Sequence, residues 1–344
     1  MSEAAVRVCV AGAGAVGGLI AARLALAGTQ VSVLARGAHL ERMQARGLEL
    51  VDETGVRARA EVRAESDPAA LGRQEVLVVG LKAHQLRDAA ATLVPLVGPD
   101  TVVVPAINGV PWWFFHGFGG TLAGSRLASV DPEGAIARAL PPRNVIGAVV
   151  HLSAAVESPG VIRRKAGNLL ILGEPSGATS ARLEQTVSLL RRAGFETQAT
   201  DAIQREVWIK LWGNMNMNPI SALTGSTADV IMDDPLTLEL VRGMMTEAAA
   251  VGRALGIDLG MTIEQRFAVT RKLGAFKTSM LLDFELGRTP ELDAILAAPC
   301  EIGARLGIPM PWSRTVLGLA RQRAMNSGLY GYTDGGRAFG ARSR

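Results

Sequence analysis

The stretch Val6-Arg7-Val8-Cys9-Val10-Ala11-Gly12-Ala13-Gly14-Ala15-Val16-Gly17 decides the fold of this chain. Val6–Ala11 is an apolar run of strand length, and Leu19–Ala27 continues with helical spacing to a terminating Gly28. Between them stand three glycines spaced Gly-x-Gly-x-x-Gly. Alone, that spacing is a weak signal, because many glycine turns satisfy it. Between a strand and a helix it acquires a mechanical meaning. Gly12 permits the tight turn, Gly14 lets a pyrophosphate approach the backbone, and Gly17 lets the helix pack closely on the strand. Ala13, Ala15 and Val16 complete a loop whose phosphates face the helix N-terminus.

Outward from this loop the pattern alternates. Gln30–Ala35 reads as a second buried strand, followed by a helix (Ala38–Arg46), strands around Leu48–Val51 and Arg57–Val62, a strand (Glu75–Leu81), a helix (Gln85–Val97) and a strand (Thr101–Ala106). Strands alternating with helices predict a parallel sheet covered on both faces. Strand signals recur near Val145–Ala155, Gly160–Lys165 and Leu169–Gly173, before a helix at Ala178–Ala193 and a strand at Glu196–Thr200. After Asp201 they stop, and the remainder reads as helices. The expected fold class is therefore α/β. An N-terminal Rossmann dinucleotide-binding domain with a parallel-sheet core (residues 1–200) precedes an all-α C-terminal domain (201–334) and a flexible basic tail (335–344). The aromatic run Trp112–Phe118 fits no element; a lid, a subunit contact or a loop that buries itself would each account for it.

A chain of 344 residues is long for one core. With 48% hydrophobic and 20% charged residues, it has the composition of a soluble globular protein. Met1–Ala5 leads into the first strand without the positive segment of a secretory signal. No apolar stretch reaches the ~18 residues of a membrane span. A cytoplasmic location without a membrane partner is the expectation. The net charge of +4 comes from basic residues spread along the chain, so no nucleic-acid partner is expected either. Cys9 and Cys300 offer neither a disulfide framework nor metal-ligand spacing, and no His, Cys or carboxylate cluster predicts a metal. Cation usage says more. Of 36 basic residues only Lys82, Lys165, Lys210, Lys272 and Lys277 are lysine. Where lysine persists inside a motif, a titratable ammonium has a reason to be there, because arginine cannot give up its proton.

The end of the second strand indicates the cofactor. An acid there would accept from the ribose 2′-hydroxyl of NAD, but the chain reads Val33-Leu34-Ala35-Arg36-Gly37-Ala38-His39, with no acid before Glu41. Arg36 suits a 2′-phosphate in charge and geometry, which favours NADP(H). A second constellation lies on the helix after Asp201. At about 100° per residue, Lys210, Asn214 and Asn218 fall within a stripe roughly 80° wide. Val207, Trp208, Ile209, Leu211, Trp212, Met215 and Met217 cover the rest of that helix. Burying a lysine and two amides costs on the order of several kcal/mol unless each finds a partner. The stripe therefore predicts a ligand surface, unless neighbouring backbone satisfies the amides and the lysine snorkels to water.

Together these motifs resemble the ketopantoate reductase (2-dehydropantoate 2-reductase) family. The likeness rests on Gly12–Gly17, Arg36, Leu81-Lys82-Ala83, Asn108-Gly109, Lys210-x3-Asn214-x3-Asn218-Pro219, and Ser279-Met280 with Glu291 twelve residues on. It spans residues 6–293. The resemblance implies a site between a Rossmann and a helical domain, NADPH as hydride donor and 2-dehydropantoate as the small-molecule 2-oxo acid. The product would be pantoate, for pantothenate and coenzyme A synthesis. It implies Lys210 as proton donor to the ketone, with Glu291 orienting it and contacting the substrate hydroxyl or cofactor. Asn108 would hold the nicotinamide and the ketone, Asn214 and Asn218 substrate oxygens, and Ser279 the carboxylate or hydroxyl. Lys82 would lie beside the cofactor. A homodimer is compatible with this reading. Two departures bear on the substrate. Counting without gaps from Pro219, the family's further substrate-binding asparagine falls on Ala228, and the Trp112–Phe118 stretch exceeds the family's usual length. The alternatives are a reductase of another branched 2-oxo acid, a dehydrogenase of the 6-phosphogluconate or 3-hydroxyacid type, and a non-catalytic NADPH-binding sensor.

Arg36→Ala is expected to weaken NADPH binding about tenfold or more and NADH binding much less, since one charge-assisted contact is worth about 1.5–3 kcal/mol. Fluorescence titration with both cofactors measures the difference; equal losses would refute the assignment.

Overall fold

The computed structural model describes residues 6–331, with the backbone of Thr333–Asp334 and Arg337–Ala338 as a short antiparallel pair. The rest of the expected 335–344 tail lies outside the described residues. The strands are β1 (Arg7–Ala11), β2 (Gln30–Leu34), β3 (Leu48–Val51), β4 (Arg57–Ala60), β5 (Arg63–Glu65), β6 (Val76–Val79), β7 (Val102–Pro105), β8 (Gly147–Ser158), β9 (Val161–Gly173) and β10 (Glu196–Ala199). The helices are α1 (Ala15–Leu26), α2 (Gly37–Arg46), α3 (Ala83–Ala89), α4 (Ala135–Ala139), α5 (Ala181–Arg192), α6 (Ile203–Thr224), α7 (Ala228–Asp233), α8 (Pro235–Ala254), α9 (Ile263–Arg271), α10 (Ser279–Glu285), α11 (Ala298–Arg305) and α12 (Pro311–Asn326). They divide into two compact units, Met1–Arg126 with Asp131–Glu206 and Leu127–Val130 with Val207–Arg344. The units part inside the first turn of α6.

The first unit is built on an all-parallel sheet in the order β5-β2-β1-β6-β7. Val8, Cys9, Val10 and Ala11 of the central β1 are fully buried, as a strand covered on both faces requires. Leu19, Ile20, Ala21, Ala22 and Leu24 of α1 join the same core. Ala11 pairs with Leu34 and Val79, and Val79 with Pro105, so β1, β2, β6 and β7 end at one edge. The chain leaves β1 for β2 on one side and later fills β6 and β7 on the other. The switch point of the sheet therefore falls at the end of β1, where the glycine loop follows.

The strand pattern suggests one sheet, and the structure has a second, mixed one in the order β10-β9-β3-β4, with β8 also on β9. Connection length explains it. Only Pro159 and Gly160 (φ +72°) separate β8 from β9, enough for an antiparallel hairpin, whereas a parallel neighbour needs a crossover of a dozen or more residues. The strands expected at Gly160–Lys165 and Leu169–Gly173 are the single β9, whose pairing with β8 is irregular. The helix expected at Gln85–Val97 is α-helical only to Ala89. It continues as a 3₁₀ segment containing Pro95, which has no amide for the α ladder.

The aromatic run buries itself within its own unit. Trp112, Trp113, Phe114 and Phe115 are all buried, and Trp112 Nε1 donates to the Leu140 carbonyl at 2.9 Å. Phe114 meets Phe115 and Phe118 edge-on, with ring centroids 5.2 and 5.6 Å apart. Such pairs place the positive ring edge on a negative face.

In the second unit α6 runs through Pro219 to Thr224 instead of stopping at the proline. Its apolar side is tied to α8 by two indoles. Trp208 Nε1 donates to the Ala248 carbonyl (3.1 Å) and Trp212 Nε1 to that of Met245 (2.8 Å). Gly252 of α8 makes the room: a Cβ there would lie 2.7 Å from Trp208 Nε1. From the same helix, buried Glu247 caps α12 by accepting from the Trp312 and Ser313 amides (2.7 and 2.9 Å) and from Ser313 Oγ (2.6 Å). Among the described residues no helix is long and apolar enough to cross a membrane. None of their His, Cys, Asp and Glu side chains form a group of three or more able to hold a metal.

Candidate active site

The candidate residues form two groups, one in each compact unit. In the first, Gly12–Gly17, Arg36, Lys82 and Asn108 follow β1, β2, β6 and β7 in turn. Four neighbouring parallel strands thus deliver them to one sheet edge, the edge where open α/β sheets bind ligands.

The three glycines are required for different reasons. Gly12 has φ +96°, and a Cβ there would stand 2.7 Å from Leu81 Cδ2 and 3.1 Å from the Leu81 amide nitrogen. A Cβ on Gly17 would collide with the Gly12 carbonyl oxygen, so this glycine brings α1 against the turn. Gly14 has an ordinary extended backbone (φ −65°, ψ −167°), and a Cβ on it would meet no protein atom within 4 Å. Folding places no demand on Gly14, and a backbone that must admit a phosphate does. The first turn of α1 carries no acidic residue, and its N-cap makes no side-chain bond, which leaves its amides to an anion. These residues fit a dinucleotide.

Arg36 is the N-cap of α2 and is exposed at the end of β2. Lys82, partly buried, is the N-cap of α3, and its amide donates to Gln85 Oε1 at 3.1 Å. Asn108, also partly buried, lies three residues beyond β7, ahead of Gly109 at φ +82°. Two positions that pattern reading passed over support this edge. A Cβ on Gly80 would lie 2.7 Å from the Gly12 carbonyl oxygen and 2.8 Å from Gly17 Cα, so a fourth glycine holds the loop. Its place directly after β6 was the available signal. His39 accepts from the Gly160 amide through Nδ1 (2.8 Å), which leaves Nε2 to donate to the Ala13 carbonyl (2.7 Å). One imidazole thus straps the glycine loop to α2 and to the β8–β9 turn. No linear spacing announces that.

In the second unit α6 presents Lys210, Asn214 and Asn218 on one stripe. Lys210 and Asn214 are partly buried, and Asn218 is 6% exposed. Although Lys210 keeps some surface, desolvation pushes its ammonium down to about 8, and the neighbouring charge of Glu291 pushes it back up. Glu291 is buried and directly precedes the segment Leu292–Ala297, where a π-turn (Asp293–Ala297) interrupts the helical ladder, a feature frequent at functional sites. Ser279 stands exposed as the first residue of α10, and no hydrogen bond among the described residues joins its side chain to the group. The structure therefore sets Lys210, Asn214 and Asn218 on one stripe of α6, brings Glu291 near enough for its charge to act on Lys210, and carries Ser279 on a separate helix. The cysteines stand apart from this chemistry: burial pushes the Cys9 thiol up to about 12 and that of Cys300 to about 11, so neither is a ready thiolate.

Comparison with known proteins bears on the whole chain. Residues 8–177 match the family described as ketopantoate reductase PanE/ApbA, and residues 202–324 match its C-terminal counterpart. A 2-dehydropantoate 2-reductase of Mesorhizobium japonicum is 46% identical over 325 residues, 94% of this chain and 99% of the relative. A Ralstonia solanacearum MolK2 structure assigned as a ketopantoate reductase superposes with a TM-score of 0.91 at 51% identity, covering 95% of this chain and all of the other. The 2-dehydropantoate 2-reductase of Geobacter metallireducens GS-15 gives a TM-score of 0.80 at 28% identity over 92% of this chain and 100% of its own.

Gly14→Ala is expected to fold as the wild type and to lose about tenfold or more in dinucleotide affinity, whereas Gly17→Ala should lower stability by about 1–3 kcal/mol or more through overpacking. Urea denaturation alongside NADPH titration separates the two. Similar stability losses in both variants would contradict the division of roles.

Proposed function

The chain belongs to the ketopantoate reductase family, and on that premise we propose that it reduces the ketone of 2-dehydropantoate to the alcohol of pantoate, with NADPH as cofactor and Lys210 as proton donor. Residues 1–200 hold the dinucleotide, and residues 201–334 hold the substrate. The product would serve pantothenate and coenzyme A synthesis.

The observation that carries the reading is Lys210 on one stripe of α6 with Asn214 and Asn218, its ammonium pushed down to about 8 by desolvation and raised by the charge of Glu291. Reduction places a hydride on the ketone carbon and leaves negative charge on the oxygen, which must take a proton. An acid serves best when its pKa lies near the working pH. Desolvation brings the ammonium into that range, and Glu291 keeps it from falling further, so Lys210 is charged at neutrality and able to release its proton. NADPH, when bound, supplies the hydride. Gly12, Ala13, Gly14, Ala15, Val16 and Gly17 receive the pyrophosphate, Arg36 the 2′-phosphate, and Lys82 and Asn108 the nicotinamide end. Asn214 and Asn218 orient substrate oxygens, and Ser279 adds a hydroxyl from α10.

One observation favours a second reading, a reductase of another branched 2-oxo acid. Ala228, where the family's further asparagine would fall, is 1% exposed, and its amide is already donated to the Phe276 carbonyl at 3.1 Å. A methyl group cannot bond a substrate hydroxyl, and losing such a bond shifts preference strongly. Relative kcat/KM over a panel of 2-oxo acids decides: a clear preference for 2-dehydropantoate supports the first reading, and faster turnover of an acid without the 4-hydroxyl supports the second.

Lys210→Ala should bind NADPH normally and lose roughly 10²–10⁴-fold in kcat. Because the protonated form is the active one, wild-type reduction should be full below pH 8 and decline as pH rises through about 8. That limb should be missing from the variant, and Lys210→Arg should restore little. Near-wild-type kcat in Lys210→Ala, or an unchanged limb, assigns Lys210 to structure.

A further inference from the structure

We propose that Tyr330, through its hydrogen bond to Asp293, is a positioning residue that sets Glu291 against Lys210. This rests on the reductase reading above, in which Lys210 gives the proton, and adds the contact that keeps Glu291 in place beside it.

The end of α12 delivers Tyr330. Gly328 takes φ +69°, its amide donates to the Met325 carbonyl (3.0 Å), and the Leu329 amide donates to that of Ala324 (2.8 Å). That pair of bonds stops a helix by turning the chain back over its last turn. One residue on, the hydroxyl of the partly buried Tyr330 donates to Asp293 Oδ1. Arg321 of α12 stands 3.8 Å from the same carboxylate oxygen. Burial, and then the charge of Asp293, pushes the Tyr330 hydroxyl up, so it remains a donor throughout the neutral range.

Asp293 opens the π-turn that follows Glu291. Pro299 has no amide to give the Ile295 carbonyl, and its ring would crowd that oxygen in a regular helix. The turn widens instead, and the Ala298 amide reaches back five residues to the Asp293 carbonyl. Widening removes α-type bonds that would fix the rotation of the turn, so an anchor from outside has more to do. Glu291 belongs to the same turn. Its carbonyl accepts from the Ile295 amide at 3.2 Å, and Leu292 beyond it is helical (φ −63°, ψ −37°). Two helical residues amount to about 200°, so Glu291 and Asp293 point to opposite sides. Tyr330 and Arg321 therefore grip the back of a turn whose front carries Glu291. Desolvation pushes the Lys210 ammonium down and the Glu291 charge raises it. Releasing the grip lets the turn rotate and takes that charge away.

The chain has only five lysines, few enough for lysine labelled with carbon-13 at Cε to report Lys210 by NMR, with Lys210→Arg assigning its signal. In wild type it should titrate at about 8. Tyr330→Phe keeps the ring and removes the donor; Asp293→Ala removes the acceptor. Each should move the midpoint to lower pH by about 0.5 or more, toward that of Glu291→Gln, because a favourable carboxylate is withdrawn. Asp293→Asn keeps an oxygen for the Tyr330 hydroxyl and should stay within about 0.2 of wild type. In a Glu291→Gln background Tyr330→Phe should add nothing, as expected of two residues that act through one group. An unchanged midpoint in Tyr330→Phe, or the same displacement with and without Glu291, would overturn the assignment, whatever the variants do to stability. The high-pH limb of kcat should follow the titration in every variant. If the titration moves as expected and the limb does not, Lys210 is not the proton donor, and the positioning role of Tyr330 stands.

Discussion

Two indole N–H groups fix the rotation of α6, and with it the direction of every polar side chain that helix carries. Trp208 and Trp212 lie about 160–200° around the helix from Lys210. Both are almost wholly buried, and each donates to a carbonyl of α8. Turning the helix would expose two of the largest apolar surfaces in the unit and leave two indole donors unsatisfied, which costs far more than the bonds contribute. Lys210 and Asn214 are therefore held on the side of α6 turned away from the two indoles, with Asn218 at the border of that stripe.

The glycine loop shows the complementary device, in which space and not contact is specified. Gly12, Gly17 and Gly80 are glycine because protein atoms fill the positions their Cβ atoms would take. A Cβ on Gly14 would meet no such atom within 4 Å. Close packing at three positions thus presents the fourth as a bare stretch of backbone at the N-terminus of α1. His39 adds polar reinforcement, since its two ring nitrogens join three segments of the unit.

Lysine and arginine are not exchangeable in this arrangement. Several arginines of the second unit stand in surface ion pairs, such as Arg242–Glu264, Arg271–Asp233 and Arg305–Glu301, which contribute little each. Lys210 and Arg266 are placed differently. Both lose solvent and both respond by a lowered pKa. The ammonium thereby comes within reach of proton release, while the guanidinium stays charged at any accessible pH and can only bind.

The linear sequence alone determined the glycine loop between strand and helix, the absence of an acid beside Arg36, and the Lys210-Asn214-Asn218 stripe. Each is a local pattern with the period of the element that carries it, so a short stretch contains all the information. The parallel core and the helical second half were legible for the same reason. Tertiary structure alone decided that Gly147–Ser158 and Val161–Gly173 pair in a second sheet and that Trp112–Phe115 turn inward. It also decided that His39 meets Gly160, 121 residues away, and that Arg266 lies over Gly213. These are long-range pairings, set by which distant surfaces exclude each other's water and leave room for each other's atoms. No periodicity within one element encodes that.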